Sequence, residues 1–307
     1  MSRWIPVAEL NSKPGATMAG TLSLAMMFIL WQMTARTGLG QDAGAAPRNN
    51  PALAKADVRT TPQAGKEGDS APQTIDDALQ FARRHRSALD AVKDYTALFT
   101  KTELVGKKVI RQTMEIKCRH EPFSVYLHNR SGKEEGREVL YATGANDGLL
   151  LVHERGLLAS LAGPQKLKLD DPLVMDENRY PITDIGIAKI IDKSIAIWEG
   201  EKRTDAKNVE VRFVSNVPVE SVPCEMVEVV RKQQKPGFNY SLTRVYCAAD
   251  SKLPIRAEQY GWPERPGEKP PLLEEYNYSD LKVNVGLSDT DFSPRNPMYG
   301  FGGAPSK

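Results

Sequence analysis

The side chains that could do chemistry in this 307-residue sequence are few and scattered. His85, His120, His128 and His153 lie far apart, and none has a partner one helical turn away, the spacing that lets two imidazoles share a metal. The sequence has no Gly-x-Ser-x-Gly elbow, glycine-rich phosphate loop or His-Glu-x-x-His run, so nothing places a nucleophile, a phosphate or a zinc by local geometry. Acidic neighbours occur at Glu134 and Glu135, Asp170 and Asp171, and Glu274 and Glu275. Adjacent strand residues point to opposite faces, so these pairs are poorly placed for acid–base work and read as solvated turns and edges. Asp176 to Pro181 (DENRYP) joins charge to a turn ahead of a helix, and its role is read as positioning that helix. The sequence therefore predicts no catalytic residue, no metal ligand and no cofactor, and a protein that is not an enzyme.

Cys118, Cys224 and Cys247 leave one thiol over in any pairing. Cys224 and Cys247 flank a segment centred on Lys235 and Pro236, and a hairpin turning there sets them nearly opposite, within bridging range. The other reading is three buried thiols acting as small apolar residues. Cys118 is expected to be free.

The elements that carry these residues follow from patterning. The apolar fraction is 40%, while 21 prolines and 23 glycines favour many turns over long helices. The first forty residues carry Arg3, Lys13 and Arg36 against Glu9, which leaves 38 basic and 38 acidic side chains in the rest. A neutral remainder lacks the basic footprint of a nucleic-acid binder. Leu22 to Met33 is apolar over about a dozen residues, short of the ~20 that span a bilayer and suited to a signal-peptide core. Residues 1–40 are therefore read as a signal peptide, with cleavage before Gln41, or as a retained N-terminal membrane anchor. Residues 41–73 are rich in Ala, Pro, Gly and polar side chains and read as a disordered linker.

Thr74 offers an N-cap with Asp76 and Asp77 in the first turn, and Ile75, Ala78, Leu79, Ala82, Leu89 and Val92 share a helical face. The opposite face carries Arg83, Arg84, His85 and Arg86, either solvated or set against anionic headgroups. From Tyr95 the period becomes two. Phe99, Met114, Ile116, Phe123, Val125 and Leu127 fall on one face of successive strands, and a meander runs to His153. Ile187, Ile190, Ile191, Ile195 and Trp198 have helical spacing, with a start near Pro181 and Thr183 or Asp184. Strands then resume at Val209, Cys224, Tyr240, Ile255 and Leu273. About ten antiparallel strands with two helices between their runs define an α+β fold, and a sheet of that size must curl to hide its apolar face. The folded domain spans 74–293. Residues 294–307 form a flexible tail, loose or draped over the surface.

Asp94 to Lys101, the Arg119-x-x-Pro122-Phe123 corner and Val139 to Gly148 resemble the first strands of the bacterial lipoprotein carrier LolA. Pro122 to Tyr126, Gly136 to Tyr141 and Asn178 to Gly186 resemble the domain of unknown function 1571 family, which is grouped with the LolA-like proteins. The resemblance covers about Thr74 to Asn296. It implies an unclosed half-barrel with helices covering the concave face and a cavity for acyl chains. It also implies that Arg119 contacts the lid, although the spacing here is Arg-x-x-Pro-Phe and a surface strand-end residue is the other reading.

Together these readings predict an exported, periplasmic envelope protein that binds a hydrophobic lipid or acylated ligand as a carrier or sensor. The cavity is expected to be lined by Phe99, Met114, Ile116, Phe123, Val125, Leu127, Ile187, Ile190 and Ile191. A membrane surface or an envelope protein is a further expected partner. The rival reading is a structural envelope protein whose concave face is filled by its own side chains.

Overall fold

A computed structural model describes residues 73–156 and 163–302. The expected signal segment and nearly all of the linker lie outside the described residues. Eleven strands form one antiparallel sheet in the order β6-β5-β4-β3-β2-β1-β11-β10-β9-β8-β7. They are β1 (Asp94–Val105), β2 (Lys108–Arg119), β3 (Ser124–Asn129), β4 (Glu138–Ala142), β5 (Leu150–His153), β6 (Gln165–Leu167), β7 (Val209–Val219), β8 (Val222–Arg231), β9 (Leu242–Ala248), β10 (Pro254–Tyr260) and β11 (Leu272–Val283). The chain thus builds the sheet outward from β1 in one direction. It then returns to the far edge at β7 and works back until β11 closes against β1. Register shifts between Thr96 and Leu98 and between Val214 and Val217 bend the long strands, as extra residues in a ladder do. Among the described residues β6 and β7 are the edges of the sheet, which makes it an unclosed half-barrel.

Helices α1 (Ile75–Ser87) and α2 (Ile187–Asp205) cover one face. At the start of α1, where sequence places Thr74 as the N-cap, the Thr74 amide and hydroxyl both donate to Asp77. One residue of its expected polar face belongs inside. His85 is fully buried, packs on Phe81 with ring centres 4.2 Å apart and meets the Lys252 carbonyl oxygen at 2.7 Å. Burial pushes its imidazole pKa down.

Helix α2 begins at Ile187, later than the Pro181–Asp184 start read from sequence, because Ile182–Asp184 makes a separate 3-10 turn and Ile185 is extended. Its first turn is held by two tyrosine hydroxyls from the sheet. Gly186 N–H donates to Tyr278 at 3.0 Å and Ile187 N–H to Tyr95 at 3.3 Å. Gly186 has φ +119°, and a Cβ there would sit 3.1 Å from the Tyr95 hydroxyl, so this junction requires glycine. Ile187, Ile190, Ile191 and Trp198 are buried against the sheet together with Ile75, Leu79 and Ala82.

Further along, Glu201 and Arg231 form a fully buried bidentate pair, with Nε–Oε1 at 3.0 Å and Nη2–Oε2 at 2.8 Å. Arg231 Nη1 also donates to Thr243 Oγ1 at 2.7 Å. The C-terminal half of α2 is therefore fixed to β8 and β9.

The opposite face of β2–β5 is covered by the chain after β11, and through Gly302 that segment is packed rather than loose. Tyr299 stacks on Tyr126 with centroids 3.9 Å apart, and Phe292, Tyr299 and Phe301 are buried with Leu140 and Leu151. Arg119 belongs to this outer contact. It pairs with Asp289 at 2.7 Å, donates to Ser124 Oγ at 3.1 Å and lies over the Phe292 ring at 5.0 Å. Its side chain faces away from the helices, as a surface strand-end residue does, and makes none of the lid contact that the resemblance implies.

The proposed disulfide is also corrected. All three cysteines are free and buried. The β8–β9 ladder pairs Cys224 with Ala248 and Glu225 with Cys247, one residue out of the register a bridge needs. A one-residue offset sends the two side chains to opposite faces. Cys247 joins the helix-side core, whereas Cys224 packs with Met226, Tyr246 and Ile255 on the other side. Burial pushes Cys118 up to about 12 and Cys224 up to about 11, so both stay protonated. Alkylation of unfolded, unreduced protein is expected to label all three cysteines; two unlabelled residues would restore the bridge.

Candidate functional site

The inward face changes character along its two central strands. On β1 the residues Tyr95, Ala97, Phe99, Lys101 and Glu103 alternate inward and are all buried. On β11 the corresponding series is Tyr278, Tyr276 and Glu274, paired across as Phe99↔Tyr278, Lys101↔Tyr276 and Glu103↔Glu274. Phe99 stacks on Tyr278 with centroids 4.6 Å apart. Four residues further along β1, about 13 Å at the usual strand rise, two carboxylates stand side by side. The surface is thus a trough, apolar at one end and charged at the other.

The charged end is covered by the segment from Asp171 to Ile185, in which no residue is buried. The groups beneath it are: Lys101, Glu103 and Glu274 are 4%, 3% and 1% exposed. Arg179 reaches down with its Nε to Glu274 Oε2 at 2.8 Å and its Nη1 to the Leu104 carbonyl at 2.8 Å, while its amide donates to Glu103 Oε2 at 3.2 Å. The Tyr180 hydroxyl donates to Glu274 Oε1 at 3.2 Å and meets Tyr240 at 3.1 Å. Lys101 Nζ donates to Glu103 Oε2, to the Glu177 carbonyl and to Asn178 Oδ1. The Tyr276 hydroxyl completes Glu103 at Oε1. At the flanks, Arg137 pairs with Glu177, Lys108 with Asp176, and Lys193 with Asp184. Burial pushes the Glu274 carboxyl up and the Lys101 ammonium down. Both buried groups therefore depend on their partners to stay charged.

The residues read from sequence as the ligand surface do come together. Phe99, Met114, Ile116, Val125, Leu127, Ile187, Ile190 and Ile191 are 0 to 7% exposed and form one cluster with both helices. Phe123 stands just outside β3, partly buried against it, with its ring tilted on Tyr141. These residues share one face, and α2 joins them in the same buried cluster. Sequence reading missed Lys101, Glu103 and Glu274 as inward residues and Arg179 as their partner. The signal was available in part, since Lys101 and Glu103 continue the Phe99 alternation and the DENRYP run stood out. Glu274, read there as a solvated edge, is instead among the most deeply buried side chains.

An open antiparallel half-barrel with two helices over one face defines the fold class. The model of the family described as "Protein of unknown function (DUF1571)" matches residues 92–301, and the chain belongs to that family. No curated protein matches the chain. Several solved structures are similar to it. MucB is 16% identical, covering 73% of this chain and 64% of its own, with a TM-score of 0.42. Lipoprotein LppX of Mycobacterium tuberculosis is 13% identical, covering 69% of this chain and 98% of its own, TM-score 0.39. A LolA superfamily protein of Nitrosomonas europaea is 13% identical, covering 72% and 98%, TM-score 0.29.

Proposed function

We propose that the protein is a non-catalytic carrier or sensor of the cell envelope that binds a hydrophobic, lipid-type ligand on its concave face by displacing the segment Asp171–Ile185. One observation carries this reading: the trough is deeply buried, yet its cover contains no fully buried residue, and beside the packing of Val174, Ile182 and Ile185 it is held by ion pairs and hydrogen bonds. When it detaches, such a cover frees only these three partly buried apolar side chains from the core. Acyl surface taken up in its place gains about 25 cal/mol per Å². Export is part of the proposal and rests on the short apolar run Leu22 to Met33. Among the described residues, no helix is long and apolar enough to cross a membrane.

The rival scaffold reading draws on the single buried cluster that α2 shares with Phe99, Ile116 and Val125. The two are separated with diphenylhexatriene, an uncharged probe that fluoresces in apolar surroundings. The carrier reading expects saturable binding to the full chain, strengthened by Arg179→Ala. A flat titration for both proteins selects the scaffold. Substitutions at Val125 are unsuitable for this purpose, because a larger side chain at a fully buried position overpacks the core.

A further inference from the structure

The charged end of the trough holds two positive groups, Lys101 from the sheet beside Glu103 and Arg179 from the cover beside Glu274. Glu103, Glu274 and Gln259 lie in a row across β1, β11 and β10, since Glu103 pairs with Glu274 and Glu274 with Gln259. Directly paired residues share a face. Glu103 keeps two partners from the sheet itself, Lys101 and Tyr276. Glu274 has from outside the cover only the Tyr240 hydroxyl, at 3.5 Å; its bonds from Arg179 and Tyr180 both come from the cover. Gln259 is 6% exposed, and its Oε1 is buried with no donor at all. With the cover displaced, the sheet offers a carboxylate without the Arg179 cation and an amide oxygen without a donor. They adjoin Lys101 and Tyr276, beyond which the inward face continues as Phe99 and Tyr278.

We propose that this end of the trough binds the cationic amino group of an amphiphile, which takes the position of the Arg179 guanidinium when the cover moves aside. The proposal rests on the hydrophobic-ligand reading and adds the class of headgroup to it. An ammonium restores the counter-charge to Glu274 and offers N–H donors to Gln259. An anionic or neutral head leaves the buried carboxylate uncompensated, which is strongly unfavourable. The competing sources of charge are Lys101, which keeps Glu103 but loses its bonds to Glu177 and Asn178, and Lys193 on α2. Lys193 lies against the Tyr180 ring and pairs with Asp184 at 3.3 Å, and it loses both contacts when the cover moves. Were either lysine to settle on Glu274, the headgroup preference would vanish.

The test uses the full chain and three probes that share a dodecyl chain, namely dodecylammonium, dodecanol and dodecanoate. Each is used below its micelle concentration to displace diphenylhexatriene. The expected order puts dodecylammonium at least about tenfold tighter than dodecanoate, with dodecanol between them. Glu274→Gln should abolish the preference, and Arg179→Ala, which removes the resident cation, should tighten dodecylammonium more than dodecanol. Circular dichroism of each variant confirms the fold, and Gln259→Leu supplies an independent variant expected to weaken dodecylammonium selectively. Equal binding of all three chains, or a preference for dodecanoate, overturns the headgroup site and leaves the hydrophobic-ligand reading standing. Failure of the diphenylhexatriene signal itself, with no chain binding, overturns both.

Discussion

Glu201→Ala is expected to lower the unfolding free energy by about 3–5 kcal/mol, the usual effect of stranding one member of a buried ion pair. Arg231 is fully buried, and Glu201 bonds both its Nε and Nη2. Thr243 and the Val229 carbonyl remain as acceptors for Nη1, but neither carries a charge. The double variant Glu201→Gln, Arg231→Met should recover much of the loss, because it removes the desolvated charge as well as its partner. Urea unfolding of the two proteins measures both values, and a loss below about 1 kcal/mol for Glu201→Ala would show that water reaches the pair. The effect bears on function through location. Glu201 and Trp198 anchor the C-terminal half of α2, so movement of the cover is confined to the chain before Gly186.

Arg179→Ala should have the second large effect, and a different signature. The side chain bonds Glu274 and the Leu104 carbonyl, and its loss leaves Glu274 buried without a cation only while the cover is closed. The penalty therefore falls on the closed state and not on the fold. With Arg179 itself a quarter exposed, about 2 kcal/mol is a reasonable scale, equivalent to roughly thirtyfold more opening. Hydrogen exchange followed by mass spectrometry should show that acceleration at Asp176, Asp184 and Ile185, whose amides are bonded within the segment. Amides of β1 and β11 should keep their protection. Acceleration spread evenly over the sheet would mean that Arg179 stabilises the whole domain and is no latch.

Much of this architecture was legible in sequence because it is periodic. The alternation through Phe99, Ile116 and Val125 and the helical spacing of Ile187, Ile190, Ile191 and Trp198 identified the faces that meet. The short wording around Pro122 and Asn178 identified the family. What escaped was set by long-range pairing. Glu274 reads as half of an exposed acidic pair until β11 is placed beside β1, which brings it opposite Glu103. His85 sits among arginines in sequence and is buried because the turn at Lys252 arrives beneath it. The Cys224–Cys247 pairing failed on a single residue of hairpin register, which composition does not encode. The choice between Arg119 as a lid contact and as a surface strand-end residue stays open in sequence for a similar reason, since the strap that it holds comes from the far end of the chain.

The central claim is that a hydrophobic ligand occupies the trough in place of the Asp171–Ile185 segment. It is tested most directly by purifying the full chain from envelope fractions without detergent, extracting it with organic solvent and identifying bound lipid by mass spectrometry. The account predicts a restricted set of lipids in near-stoichiometric amount, enriched over the bulk membrane and increased in Arg179→Ala. Protein that carries no lipid in either form, and also leaves diphenylhexatriene unbound, would contradict it.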